Sequence, residues 1–278
     1  MDKVVYISGA NGVIGEGVAI SFAQAGANVV IGARRKEAAE SARANILKEA
    51  PKATVIEVLA DVCKPDQVEA AVKTIIEKFG RLDVAIAVAG KSQSWELSLA
   101  DTDPNAWWEV IEVNIRGVYN VAKDRERDLN RSTSRYTLPY LNTSKGYFIA
   151  FSSMSAQLRI PNASSYSVSK HAVTRFVEFV TLENPNVKAY SFHPGGIRTP
   201  LSLESIRKKP KEVAEAMEAF LVDKPELPAA TLLYLTSGKA DWLSGRYVSA
   251  NWDLGEVESK FKDAIIEKKA LVSRLALP

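Results

Sequence analysis

Cysteine is almost missing from this sequence. Cys63 stands alone among 278 residues, so no intrachain disulfide can form, which suits a reducing compartment. Long apolar runs are missing as well. No stretch reaches the roughly 18 uninterrupted apolar residues that a membrane-spanning helix needs. Neither charge is in excess: 36 Lys and Arg against 33 Asp and Glu leave a net charge of +3. That is too small to argue for nucleic acid or a membrane surface as a partner. A strand pattern begins directly after Asp2 and leaves no space for a signal peptide, so the expected location is the cytoplasm. There is no repeat, low-complexity tract or linker, and no metal site is expected. What remains is the composition of an ordinary globular protein, 46% hydrophobic and 25% charged. Its length fits one α/β domain spanning 1–278.

The order of patterns along the chain carries the first functional signal. A short apolar run, Lys3 to Ile7, leads into Ser8-Gly9-Ala10-Asn11-Gly12-Val13-Ile14-Gly15 and then a helical pattern to Gly26. Strand, glycine turn and helix are the context of a dinucleotide site. In that setting Gly9 permits the tight turn, Gly12 lets the backbone approach a pyrophosphate and Gly15 allows close helix–strand contact. The first amides of the helix would face the phosphates. The second strand, Asn28 to Gly32, ends in Ala33-Arg34-Arg35. An NAD site places an acid about 20 residues past the glycines. Here two guanidiniums stand in that place, and they suit the 2′-phosphate of NADP, which arginine binds bidentately.

Further strands are expected over Ala53–Leu59, Leu82–Ala87, Tyr147–Phe151, Val187–Phe192 and Gly245–Ser249. Helices are expected over Pro65–Phe79, Trp107–Val121, Pro228–Thr236 and from Glu256 onward, the last with Phe261, Ile265 and Ile266 as its apolar face. Alternation of this kind predicts a doubly wound parallel sheet of the Rossmann type. Ser164 and Ser165 are good N-caps for a helix that places Tyr166 and Lys170 four positions apart, on one face. A free tyrosine, with a pKa near 10, is a poor base at pH 7. A fixed ammonium nearby is expected to lower it. Ser153, at the end of the preceding strand, can donate a hydrogen bond to a reacting oxygen.

Tyr166-x-x-x-Lys170, preceded by Ser153, resembles the active site of the short-chain dehydrogenases/reductases, and motifs in the same order extend the resemblance over nearly the whole chain. The single-domain branch usually carries T-G-x-x-x-G-x-G where this sequence has G-x-x-G-x-x-G. The resemblance implies an NADPH-dependent reductase of a ketone or aldehyde, built on about seven strands in the order 3-2-1-4-5-6-7. By it, Tyr166 is the proton donor and Ser153 steadies the developing oxyanion. Lys170 binds the ribose hydroxyls and tunes the tyrosine, and the Asn114 carbonyl holds a water beside that lysine. The cofactor-binding set it implies is Ser8, Gly9, Asn11, Gly12, Ile14, Gly15, Arg34, Arg35, Asp61, Val62, Ala89, Gly90, Tyr166, Lys170, Pro194, Gly195, Ile197 and Thr199. Val88 stands where the family usually has asparagine.

By the same resemblance, residues 200–225 form a substrate lid. The helices bearing Asn114 and Tyr166 pair two subunits, as homodimer or homotetramer. The tail 255–278 looks similar to those of fungal members. Lys123 to Tyr136 reads as a charged insertion over the surface. Trp95 suits either a pocket wall or a packed loop, and His193 reads as a packed residue. A non-redox dinucleotide-binding protein, or a reductase of an imine or carbon–carbon double bond, are the alternatives. The substrate itself is not legible.

Overall fold

The computed structural model of the chain describes residues 2–93, 95–123 and 136–275. Its strands are β1 Val4–Ser8, β2 Asn28–Ala33, β3 Val55–Leu59, β4 Val84–Ala87, β5 Tyr147–Phe151, β6 Lys188–His193 and β7 Arg246–Ser249. All pair in parallel in one sheet, in the order β3-β2-β1-β4-β5-β6-β7. This is the doubly wound Rossmann-type architecture. A parallel sheet covered on both faces needs strands that are apolar on both sides, and β1 reads Val-Val-Tyr-Ile for that reason. Val5 and Ile7 join one core layer with Phe22, Ile31, Ile149 and Phe192. Val4 and Tyr6 join the other with Val30, Phe148, Ala150 and Val177. The alternation of Cβ direction along a strand makes this division.

The covering helices are α1 Val13–Gln24, α2 Lys36–Glu49, α3 Pro65–Phe79, α4 Pro104–Ile111, α5 Gly117–Ala122, α6 Thr137–Ser144 and α7 Ser164–Glu183. They continue with α8 Pro200–Ile206, α9 Lys211–Glu218, α10 Glu226–Leu235 and α11 Leu254–Glu267. Several ends follow from local chemistry. α3 opens on Pro65 and closes on Gly80 in the left-handed conformation. Asp103 caps α4 by accepting from the amides of Asn105 and Ala106, and Thr199 and Ser202 form a reciprocal capping box at α8. No helix among the described residues is long and apolar enough to cross a membrane.

Four expectations need correction or limits. The helix expected over Trp107–Val121 is interrupted: Glu112–Arg116 is a π turn, with the Gly117 amide bonding to the Glu112 carbonyl. Ser164 and Ser165 do not cap α7. Both lie inside its first turn, the N-cap is Ala163, and the Ser164 hydroxyl instead accepts from Trp107 Nε1 at 3.0 Å. In α11 only Ile265 is buried, while Phe261 and Ile266 remain about half exposed. The insertion at 123–136 lies, apart from its two end residues, outside the described residues.

Strand order turns back between β1 and β4. The chain winds outward from β1 through β2 to β3, then returns to start β4 on the other side of β1. Loops leaving the two strands part there, and the crevice between them at the carboxyl ends is where such sheets hold ligands.

Candidate active site

The glycine turn sits in that crevice. The Gly9 amide donates to the Gly32 carbonyl at 2.9 Å and the Ala89 amide to the Ser8 carbonyl at 3.1 Å, so the ends of β1, β2 and β4 are tied together. Gly9 has φ +77°, and a Cβ there would come within 2.8 Å of the Ala89 backbone. At Gly15 a Cβ would lie 2.5 Å from the Gly9 carbonyl. Both positions therefore exclude any side chain, one for the turn and one for the close approach of α1.

Beside this turn runs a groove of about 580 Å³. Of the residues picked out in the sequence, Gly9, Asn11, Gly12, Ile14, Gly15, Arg34 and Arg35 line its first half. Asp61, Val62, Ala89, Gly90, Tyr166, Lys170, Pro194 and Thr199 line the rest. Ser8, Asn114, Ser153, Gly195 and Ile197 are not part of the lining. Ser8 is buried in the sheet, its hydroxyl turned to the Ile86 carbonyl at 3.4 Å. Ile197 is buried in a bridge to Asp223. Arg34 and Arg35 are exposed, and neither makes an ion pair among the described residues. Asp61, an acid of the same groove, accepts from the Cys63 amide at 2.9 Å in a turn.

At the far end of the groove three sequence elements meet. β5 delivers Ser153, whose hydroxyl accepts from the Ser155 amide at 3.1 Å and caps a short 3₁₀ turn. α7 brings Tyr166 and Lys170 to the same place. The Lys170 ammonium donates to the Phe151 carbonyl at 2.8 Å and lies 5.6 Å from the centre of the Tyr166 ring. The π turn brings Asn114, which is fully buried. Its amide nitrogen donates to the Lys91 carbonyl and the Ser169 hydroxyl, each at 2.9 Å, and its amide oxygen accepts from the Lys91 amide at 2.8 Å. The side chain is thus spent as a brace between the loop after β4 and α7. A Cβ added to Gly90 would lie 3.3 Å from Asn114 Oδ1 and 3.5 Å from Lys170 Nζ, so these groups are immediate neighbours.

The electrostatics differ from the expectation for Tyr166. Burial pushes its phenol up to about 12, and the hydrogen bond with Ser153 pulls it only partly back. Burial also brings the Lys170 ammonium down to about 8. The predicted lowering of the tyrosine by lysine is therefore not what this arrangement gives. Desolvation dominates, opposed by the Ser153 hydrogen bond, and the ammonium is aimed at a carbonyl rather than at the phenol. His193 is buried and held neutral, its pKa brought down to about 4 by burial. It is a packed residue, as its sequence context suggests.

Other contributors were not legible. Asp223 accepts from the Gly196 amide at 2.7 Å and from Asn251 at 2.8 Å, shaping the loop after β6 from 27 residues away. Ser152 anchors α7 through its bonds to the Lys170 carbonyl and Thr174. Lys91 and Glu109 form an ion pair on the groove wall. No spacing rule announces such partners. Val88 packs on the core, and the bracing amide comes from Asn114.

A doubly wound parallel sheet with a glycine turn at its switch point, and Ser, Tyr and Lys gathered beside the crevice, defines a Rossmann-type enzyme fold. The family model for short chain dehydrogenases matches residues 3–210. A short chain dehydrogenase of Monascus purpureus is 35% identical over 282 aligned residues, which take in 99% of this chain and 89% of that one. Among solved structures, levodione reductase superposes with a TM-score of 0.78 at 24% identity, covering 94% of this chain and 99% of the other. The 3-ketoacyl-(acyl-carrier-protein) reductase from Brucella melitensis complexed with NADH gives 0.73 at 26%, covering 89% and 96%. The chain belongs to the short-chain dehydrogenase family and is an oxidoreductase.

Proposed function

We propose that this protein is an NADPH-dependent reductase of a ketone or aldehyde, or the dehydrogenase of the corresponding alcohol. The observation that carries the reading is the meeting of Ser153, Tyr166 and Lys170 at one end of a groove whose other end holds the glycine turn and two exposed arginines. The groove fits a dinucleotide: at Gly9 and Gly15 a Cβ would collide with backbone, and no carboxylate among the described residues pairs with Arg34 or Arg35. Gly12, the first amides of α1 and the two arginines would hold the phosphates, and Asp61 and Val62 would border the adenine. Gly90, Lys170, Pro194 and Thr199 would hold the ribose and nicotinamide end. When bound, the reduced nicotinamide supplies hydride to the carbonyl carbon.

The chain's own part is proton and charge management. A phenol pushed up to about 12 is fully protonated at neutral pH, which is the form a proton donor needs. Tyr166 gives its proton to the carbonyl oxygen as that oxygen takes on charge, and the Ser153 hydroxyl donates a second hydrogen bond to it. Lys170 would exchange its bond to the Phe151 carbonyl for the ribose hydroxyls, and its charge then favours the departing proton. The Asn114 side chain serves as a brace, and its backbone carbonyl would hold the relay water. The partner we propose besides a small carbonyl compound is a second copy of the chain, docked through α7.

Initial rates of NADPH oxidation against a panel of aldehydes, ketones and quinones test the activity. NADPH is expected to exceed NADH by at least about tenfold in kcat/KM, which corresponds to about 1.4 kcal/mol. Tyr166→Phe should lower kcat by roughly 10² to 10⁴-fold while leaving NADPH binding nearly unchanged, since general acid catalysis contributes on that scale. A phenylalanine variant that keeps most of its turnover would overturn the proton-donor role.

A further inference from the structure

Resting on that reading, we infer that His171 is a positioning residue of this enzyme, and that it holds the Ser153 hydroxyl in place beside Tyr166. Ser153 follows β5, on a different part of the chain from α7, which carries Tyr166 and Lys170. Its hydroxyl nevertheless shares a hydrogen bond with the Tyr166 phenol. Groups that act together in this way have to be kept within about 0.5 Å of their working geometry. Two successive residues of α7 do this, from either side of Ser153. Upstream, the Ser152 hydroxyl donates to the Lys170 carbonyl at 3.1 Å. Downstream, the His171 ring bonds through Nδ1 to the Ala156 carbonyl at 3.0 Å. A carbonyl only accepts, so Nδ1 is the donor.

The bond to Ala156 reaches Ser153 by a short path. Ala156 closes the 3₁₀ turn that starts at Ser153, its amide donating to the Ser153 carbonyl at 3.0 Å. Within the turn the Ser155 amide donates to the Ser153 hydroxyl at 3.1 Å. That bond uses a lone pair of the hydroxyl and leaves its hydrogen free to be donated. Fixing Ala156 therefore fixes the direction of the hydroxyl. The Lys170 ammonium makes a further tie to this segment, at the Phe151 carbonyl, but by the reading above it gives that bond up to the ribose. The His171 bond is independent of that exchange. The imidazole itself stands at the surface, and one such hydrogen bond adds little to global stability. A misplacement of about 1 Å in a reacting group, by contrast, can cost on the order of 10²-fold in rate. That difference separates a positioning role from a merely structural one.

Two measurements test this, one with turnover and one without. The first uses the carbonyl compound of the panel that the parent reduces fastest. His171→Ala should lower kcat about tenfold, with KM, NADP affinity and melting temperature nearly unchanged. His171→Asn, whose amide nitrogen stands where Nδ1 does, should recover most of that loss. In a Ser153→Ala background, His171→Ala should cost less than about twofold more, because the group it positions is gone. The second measurement is hydrogen exchange of the nucleotide-free protein. The Ser155 and Ala156 amides should exchange severalfold faster in His171→Ala, while those of β5 stay as they are. Full turnover in His171→Ala, an undiminished loss on top of Ser153→Ala, no recovery with asparagine, or unchanged exchange of the two amides would each overturn the inference. The reductase reading fails on different results: Ser153→Ala turning over as fast as the parent, or no NADPH oxidation across the whole panel.

Discussion

Lys170 carries an energetic cost that its position imposes. Burial holds its ammonium at about 8, below its ordinary 10.5. Below pH 8 the lysine is charged in both the folded and unfolded chain, and the folded state bears the full penalty of the buried charge. Between pH 8 and 10.5 the unfolded chain binds the extra proton, so this contribution to stability rises with pH. Tyr166 runs the other way, but only above pH 10, where the unfolded phenol ionises first. Lys170→Met, of similar length and uncharged, should therefore be more stable than the parent at pH 7, by an amount on the order of 3 kcal/mol at most. The gap should narrow between pH 8 and 10. Urea midpoints measured without nucleotide give the answer, and a gap independent of pH would mean that the shift does not exist. None of this was visible in the sequence. The pairing of Tyr166 with Lys170 followed from their four-residue spacing, but the sign of the tyrosine shift depends on how much water the fold removes. Ser164 shows the same limit. Its type suits an N-cap, yet Trp107 takes its hydroxyl and α7 begins one residue earlier.

At the scale of elements, α8 and α9 are fastened to the loop after β4 by two neighbouring lysines. Lys208 and Glu96 are an ion pair with the lysine side chain 54% exposed, and such a pair contributes little. Lys209 is different, since it satisfies the carbonyl of a buried tryptophan. Losing it leaves an acceptor unpaired. Lys209→Met is therefore expected to speed proteolytic cutting within 200–220 severalfold, Lys208→Met much less, and neither should move the global melting transition appreciably. Equal cleavage rates in the two variants would show that these helices are held by packing instead. The helices themselves were only partly legible. Pro200 and Thr199 mark the start of α8 by local chemistry. The partners of Lys208 and Lys209 lie more than 100 residues away, beyond the reach of any periodic pattern. The π turn was hidden for a related reason: Glu112 to Arg116 look like ordinary helix. It is the tie from the Asn114 amide to Lys91 and Ser169 that accompanies the change of winding there.

For the molecule as a whole, one helix face is left open. Val168, Phe179 and Leu182 lie along one side of α7 and are 51%, 43% and 75% exposed, with Arg175 stacked over Phe179. Tyr119 of α5 meets Phe176 nearby and is itself half exposed. A stable interface buries at least about 1,200 Å² in total, and two copies of this face, related by a two-fold axis, offer the apolar centre for it. Sedimentation should find a dimer, and Leu182→Asp should shift it toward monomer; a parent protein that sediments as a monomer at micromolar concentration removes the proposal.

The reversal of strand order between β1 and β4 has a consequence of another kind. By the reading above, β1, β2 and their turns carry what grips the phosphates: the glycines and the two arginines. β4 to β7 carry the acid, the helices over it and the residues for the nicotinamide end. The two halves meet along the β1–β4 seam, at Gly9 and Ala89, and where α1 packs on α10. Cofactor preference and substrate preference are thus inherited on separate halves of the chain. Descent can retune one while the other stands still, so that a scaffold of this kind is able to change its chemical clientele without relearning how to draw on the cell's supply of reducing power.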